Sequence, residues 1–265
     1  MLNDHQLTAY LDRVRYAGSR APTLPTLHAL AYAHVQTIPF ENIDVLLGRP
    51  IDLEPDAIVD KLVRARRGGY CFEQNTLFLE VLRALGFDAH PLSARVRYQR
   101  PRDYTPARTH LCVRVELDES WLADVGVGAM SPTGALRLAD HGEQATPHEP
   151  RRLLRETGLV YHQVKLAGAW VDVAELTLEE MPVIDRVVAN WYTSAFPQSH
   201  FKNRLVVARA TADGRIGLLN DELSVRGPDG HADKTTIVSP AHLRELLATQ
   251  FGLELAADEI PPFRF

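Results

Sequence analysis

Cysteine is nearly absent from this sequence. Two occur in 265 residues, Cys71 and Cys112, too few for a disulfide scaffold or a multi-cysteine zinc or iron–sulfur site. No uninterrupted apolar run approaches the roughly 20 residues that span a bilayer. The amino terminus, Met1-Leu2-Asn3-Asp4-His5, has no basic segment followed by an apolar one, so no secretory signal is expected. A basic surplus is missing as well. The 29 Lys and Arg against 34 Asp and Glu leave a formal net charge of −5, which argues against a dedicated nucleic-acid binder. Internal repeats and low-complexity segments are absent. What remains is a chain with 45% hydrophobic residues, ordinary for a globular protein, and longer than a usual single core. The expectation is a cytoplasmic protein of two or three lobes, with no membrane partner, whose cysteines are thiols.

The pattern changes twice along the chain. Leu7, Tyr10, Leu11 and Val14 recur at helical spacing, and Thr26 is a candidate cap for a second helix carrying Leu27, Leu30 and Val35. Pro55 precedes a third helix. Leu77, Phe78, Val81, Leu82 and Leu85 form the apolar face of a fourth, with Gly86 at its C-terminal cap. From about Ala89 the pattern alternates. Leu111, Val113, Val115 and Leu117 share one face, and Asp118-Glu119-Ser120 turns into a second strand ending at Val125. Further short strands follow, with a strong turn at Gly227-Pro228-Asp229-Gly230 and a last helix started by Ser239-Pro240. Helices, then strands, then strands with one helix give an α+β class.

The most informative segment is Arg67-Gly68-Gly69-Tyr70-Cys71-Phe72-Glu73-Gln74-Asn75. Two glycines allow a tight turn, and a helix begins just after them. Cys71 therefore sits at a helix N-terminus, whose partial positive charge favours thiolate over thiol. Arg67 is expected to add a nearby cation. Against this stands the common fate of a free cysteine, a small buried hydrophobe.

A nucleophilic thiol needs a base, and the base an orienting group. His110 opens the alternating strand on the face opposite its Leu/Val row. Asp124 lies between Ala123 and Val125, where a charge needs a partner. Two pairings stay open for it: His110, or a cross-strand pair with Arg114 across a tight turn. No histidines show metal-ligand spacing, and no metal is expected.

These residues resemble the arylamine N-acetyltransferases. That family's nucleophile motif Arg-Gly-Gly-x-Cys-x-Glu-x-Asn is met by residues 67 to 75. Its Pro-Phe-Glu-Asn is met by Pro39-Phe40-Glu41-Asn42, and its Thr-His pair by Thr109-His110. Its Val-Asp-Val-Gly-Phe-Gly is approached by Ala123-Asp124-Val125-Gly126-Val127-Gly128. Its late Asn-Trp-Tyr-Thr-Ser is met by residues 190 to 194, with Pro197, Ser199 and Phe201 following. The resemblance implies a cysteine-protease-like Cys71–His110–Asp124 triad. It implies a helical bundle (residues 1–88), a central antiparallel β-barrel (89–200) and a C-terminal α/β lid (201–265). It also implies two-step acetyl transfer from acetyl-CoA to an arylamine or arylhydrazine through acetyl-Cys71, and an association of two copies is considered.

Thr109, Gly126, Gly128 and Tyr98 are the implied cofactor contacts. Phe40, Phe72, Val96, Val127 and Phe201 are the implied acceptor contacts. Val127 stands where the family usually has Phe, and Val173-Ala174-Glu175-Leu176 replaces an aromatic-containing segment. Arg95, Arg97, Arg100, Arg102, Arg108 and Arg114 form a locally basic stretch suited to a phosphate-bearing ligand, with a solvated loop of scattered charge as the alternative. The alternatives are an amide synthase of the same fold, a cysteine hydrolase using the same triad, and a binding protein in which Cys71 and Cys112 form a disulfide.

Overall fold

The computed structural model describes residues 1–227 and 230–261. Helix α1 (Asp4–Arg13) starts on Asn3, whose side chain accepts from the Gln6 amide while the Gln6 side chain accepts from the Asn3 amide, both at 3.0 Å. This reciprocal cap satisfies two first-turn donors. α2 (Leu24–Thr37) begins at Thr23 rather than Thr26, because Pro25 suits the first turn of a helix. Strand β1 (Phe40–Glu41) and α3 (Ile43–Leu46) follow. α4 (Pro55–Ile58) runs on into a π-helical turn, Val59–Arg64. α5 (Cys71–Ala84) ends at Leu85, and Gly86 takes a left-handed conformation at φ 85°, as its sequence position predicts. Leu7, Tyr10, Leu27, Leu62, Phe78 and Val81 belong to the one core these helices share.

A seven-stranded antiparallel sheet comes next: β2 (Asp88–Val96), β3 (His110–Glu116), β4 (Ser120–Ala123), β5 (Leu136–Arg137), β6 (Arg151–Glu156), β7 (Leu159–Leu166) and β8 (Ala169–Glu180). Its order is β5-β4-β3-β2-β8-β7-β6. Gln144 bridges the two edges. Its side chain accepts from the Arg137 amide at 2.8 Å and donates to the Arg137 carbonyl at 3.0 Å, while its backbone exchanges bonds of 2.7 and 2.9 Å with Arg151. The result is a nearly closed barrel, which covers edges that would otherwise invite pairing. Along β3, Val113 and Val115 join the helical core and Cys112 joins the barrel interior, as the period-2 pattern predicts.

Helix α6 (Val183–Ala195) was absent from the sequence expectation. Its apolar residues face outward: Val183, Ile184, Val187, Val188 and Trp191 are 50–65% exposed. The inward apolar stripe by which helices are recognised is therefore inverted.

Strands β9 (Val206–Ala210), β10 (Arg215–Leu219), β11 (Glu222–Arg226) and β12 (Ala232–Thr236) form an antiparallel sheet with β1, in the order β1-β9-β10-β11-β12. α7 (Pro240–Phe251) packs on it, capped by Ser239, which accepts from the His242 amide at 3.1 Å. Of the turn expected at Gly227-Pro228-Asp229-Gly230, Pro228 and Asp229 lie outside the described residues. Because β1 comes from the helical segment, the first and last thirds of the chain share one sheet. Among the described residues no helix is long and apolar enough to cross a membrane.

Candidate active site

The loop before α5 is clamped from several sides. Glu41 donates its amide to the Gly69 carbonyl at 3.0 Å, and Gly69 returns a bond to the Pro39 carbonyl at 3.3 Å. A Cβ on Gly68 would lie 2.1 Å from that Pro39 oxygen, so only glycine fits there. Arg67 donates to Glu41 at 2.8 and 3.1 Å and to Asp44 at 3.3 Å. This corrects the expectation that Arg67 offers its charge to the thiol. Its guanidinium instead locks the Pro39–Glu41 segment to the nucleophile loop, with Nε and Nη2 both on Glu41 Oε1. Lys61 bridges Glu73 and Asp44, each at 2.7 Å. Burial works against the charge on Lys61, but Glu73, Glu41 and Asp44 outweigh it and raise its pKa. The other oxygen of Glu73 accepts from the Tyr70 amide at 3.0 Å, capping α5 just before its first residue.

That first residue is Cys71, 4% exposed, with its thiol donating to the Thr109 carbonyl at 3.6 Å. His110 opens β3, and its Nε2 lies 2.6 Å from Asp124 Oδ2. Nε2 being engaged, Nδ1 is the ring nitrogen left for Cys71. Burial alone would depress His110. The charge of Asp124, its hydrogen bond and the adjacent Cys71 outweigh burial and raise the imidazole pKa. The reverse holds for Asp124. Burial favours its neutral form, but His110, Asn75 and the Gly126 amide hold its pKa below the ordinary value.

The register settles the two pairings left open. Arg114 stands opposite Leu122 and Val113 opposite Ala123, so Asp124 lies just past the end of β4. There it turns to His110, while Arg114 pairs with Glu116 at 2.7 Å and Glu180 at 3.4 Å. The hairpin register differs from the one assumed for the Asp124–Arg114 pair, and that pair does not form.

Several buried polar residues hold this arrangement and were not singled out from sequence. Asn75, one turn below Cys71, donates to Asp124 Oδ1 at 2.9 Å and to the Leu111 carbonyl at 2.6 Å, and accepts from the Val125 amide at 3.0 Å. It thereby ties the nucleophile helix to β3 and to the segment just past β4. Asn42 donates to the carbonyls of Phe201 and Arg204 at 2.8 and 2.7 Å and accepts from the Val206 amide at 2.8 Å. Both sat inside recognised motifs. Their residue types signal buried hydrogen bonding, but nothing in the spacing names the partner.

The expected ligand contacts divide. Phe40 and Phe72 are buried with Cys71 in one apolar cluster, and Phe201 packs against it, 5.9 Å ring to ring from Phe40. Tyr98 and Val127 pack instead around Met130, Val164 and Val173. Val96, half-buried on β2 opposite Ala174, belongs to neither cluster. Thr109 offers its carbonyl to Cys71. A Cβ on Gly126 would meet Asn75 at 2.6 Å and the Cys71 Cα at 3.0 Å, so close packing on the nucleophile already accounts for this glycine. Gly128 has φ 63°.

The basic stretch is largely neutralised. Arg95 and Arg97 pair with Glu175, Arg102 with Asp172 and Glu156, Arg108 with Glu179, and Arg114 with Glu116 and Glu180. Among the described residues only Arg100 of the six has no carboxylate partner; it lies over the Tyr104 ring at 5.2 Å. Both cysteines are free.

Comparison with known proteins places this geometry. A family model described as N-acetyltransferase matches residues 23–260. The arylamine N-acetyltransferase of Mycobacterium tuberculosis (strain ATCC 25618 / H37Rv) is 40% identical over 255 residues, covering 94% of this chain and 90% of that one. The solved structure of the M. tuberculosis enzyme superposes with a TM-score of 0.93 at 38% identity, over 97% of this chain and 100% of that one. The Mycobacterium marinum arylamine N-acetyltransferase in complex with CoA superposes with a TM-score of 0.92 at 36% identity, over 96% and 97% of the two chains.

Proposed function

The chain belongs to the arylamine N-acetyltransferase family, and from that premise we propose that it moves an acetyl group from acetyl-CoA to an arylamine or arylhydrazine through a thioester on Cys71. The observation that carries the reading is the contiguous Cys71, His110 and Asp124 array, with His110 to Asp124 at 2.6 Å. His110 takes the thiol proton and Asp124 stabilises the resulting imidazolium. The Cys71 sulfur attacks the thioester carbonyl, and the first-turn amides of α5 at Cys71 and Phe72 face the developing oxyanion. The carbonyl re-forms, the CoA sulfur leaves, and His110 supplies its proton. The amine then attacks acetyl-Cys71, His110 accepts the amine proton, and Cys71 leaves as thiolate. Phe40, Phe72 and Phe201 line the acceptor side, and Val127, Tyr98, Gly128 and Thr109 the remaining wall. In this reading the segments 1–88, 89–200 and 201–265 act as lobes. The first brings the nucleophile, the second the base and its carboxylate, and the third a cover.

The test follows CoA release with and without an arylamine. The account expects about one equivalent of CoA per enzyme without amine, then turnover once amine is added. Continuous release in water alone would make the protein a hydrolase and overturn the proposal.

A two-copy assembly belongs to the same reading. Val183, Ile184, Val187, Val188, Trp191 and Tyr192 line one face of α6, an apolar strip of roughly 500 Å², near the upper size found on monomers. With a polar rim it approaches the ~800 Å² per partner of a standard interface. An antiparallel pairing of α6 with its copy sets the aliphatic end of one helix against the aromatic end of the other, as a two-fold interface requires. Sedimentation of the wild-type protein should show a dimer and Val188→Glu a monomer. A wild-type monomer at tens of micromolar would contradict this.

A further inference from the structure

Behind the site, inside the barrel, lies an arginine that the triad chemistry does not use. Arg151 on β6 is fully buried. Its Nη1 donates to the Met130 carbonyl at 2.7 Å and to His162 Nε2 at 3.0 Å. Its Nη2 donates to the Ser131 carbonyl at 3.3 Å and lies 3.4 Å from Glu149. Burial and the charge of Arg151 lower the pKa of His162, leaving it the neutral acceptor this contact needs. Glu149 is shared with Arg215, at 2.7 and 2.8 Å, and Arg226, at 2.9 Å. Three guanidinium groups thus meet one carboxylate that is itself partly exposed. Simple cohesion between sheets needs one such pair. What Arg151 adds is a fork that holds two consecutive carbonyls of one turn.

The front of that turn belongs to the site. Gly128–Met130 is a single 3₁₀ turn in which the Ser131 amide donates to Gly128 at 3.0 Å and the Val127 amide donates to Ser131 Oγ at 3.0 Å. Ala129 packs against both the Phe40–Cys71–Phe72 cluster and the Met130–Val164–Val173 cluster. A Cβ on Gly128 would touch the Phe40 ring at 3.8 Å. Any movement of the turn therefore reshapes the wall beside the acyl group.

We propose that Arg151 is a positioning residue for acceptor selection: its fork on Met130 and Ser131 sets the Val127–Ser131 turn and hence the size of arylamine that reaches acetyl-Cys71. This rests on the reading that Cys71 carries the acetyl group, so the experiment measures the two separately. Cys71 acetylation is followed with 4-nitrophenyl acetate, and the ratio of kcat/KM for 4-phenylaniline over aniline is followed with acetyl-CoA. In Arg151→Lys, the acetylation rate should stay within about twofold of wild type while the acceptor ratio shifts about fivefold or more. Ser131→Ala removes the hydroxyl that accepts from Val127 without touching a buried charge, and should shift the ratio in the same direction. Glu149→Gln keeps both carbonyl bonds, so it should lower Tm and leave the ratio unchanged.

If Arg151→Lys does not fold, Ser131→Ala decides. A wild-type ratio in folded Arg151→Lys or in Ser131→Ala overturns the proposal, as does an equal shift in Glu149→Gln. Failure of wild-type enzyme to acetylate Cys71 would instead sink the functional reading.

Discussion

Cys71 and Cys112 are almost equally buried, at 4% and 1% exposed, and Cys112 stands two residues from His110 on the same strand. Their surroundings differ in kind. Cys71 begins a helix and faces an imidazole that is itself held by Asp124. Cys112 sits in mid-strand among Leu92, Leu122 and Leu136, its thiol donating to the Leu92 carbonyl at 3.7 Å. Burial, helped by the charge of Asp124, pushes the Cys112 pKa well up. Burial alone therefore makes a thiol inert. What distinguishes a nucleophile is the charged partner and the helix end, and a strand interior provides neither.

The largest effect should come from Cys71→Ala, which removes the acyl carrier and should cost at least roughly 10³-fold in turnover at unchanged fold. Asp124→Asn should follow, with a loss on the order of 10²–10⁴ in kcat and a small change in KM. It also carries a pH signature. Asp124 holds His110 above its unfolded value, so this stabilisation is complete below about pH 6.5 and is lost as pH rises through the higher folded value. His110 in turn holds Asp124 down, so stability falls away as pH drops below about 4. The Tm gap between wild type and Asp124→Asn should peak between about pH 4 and 6.5 and narrow by pH 9. A gap that does not vary with pH would contradict the ion pair.

Asn75→Ala leaves Asp124 Oδ1 and the Leu111 carbonyl each short of a donor. It should cost about 1–3 kcal/mol in denaturant unfolding, with a partial loss of kcat. Smallest is Cys112→Ala: about 1 kcal/mol of stability and turnover within about threefold. Inactivation of Cys112→Ala without unfolding would erase the contrast between the two thiols.

Much of this contrast was legible in the sequence, for reasons that differ by residue. Gly68 and Gly69 before an apolar helical face mark a tight turn into a helix, so the placement of Cys71 followed from local chemistry. The alternation around Leu111 and Val113 put His110 on the opposite face for the same reason. The Asp124 pairing depended on hairpin register, a tertiary quantity shifted by where β4 ends. Arg67 was misread because its partners, Glu41 and Asp44, lie more than twenty positions away. The partners of the arginine stretch are distant in the same way: Glu156, Asp172, Glu175, Glu179 and Glu180 arrive from β6 and β8. Helix α6 escaped because its apolar side faces outward.

The most direct test is peptide-level mass spectrometry of enzyme mixed with acetyl-CoA and no amine. The account predicts one acetyl group per chain, on Cys71, absent from Cys71→Ala and retained in Cys112→Ala. An acetyl group on Cys112, or none on either thiol, would contradict it.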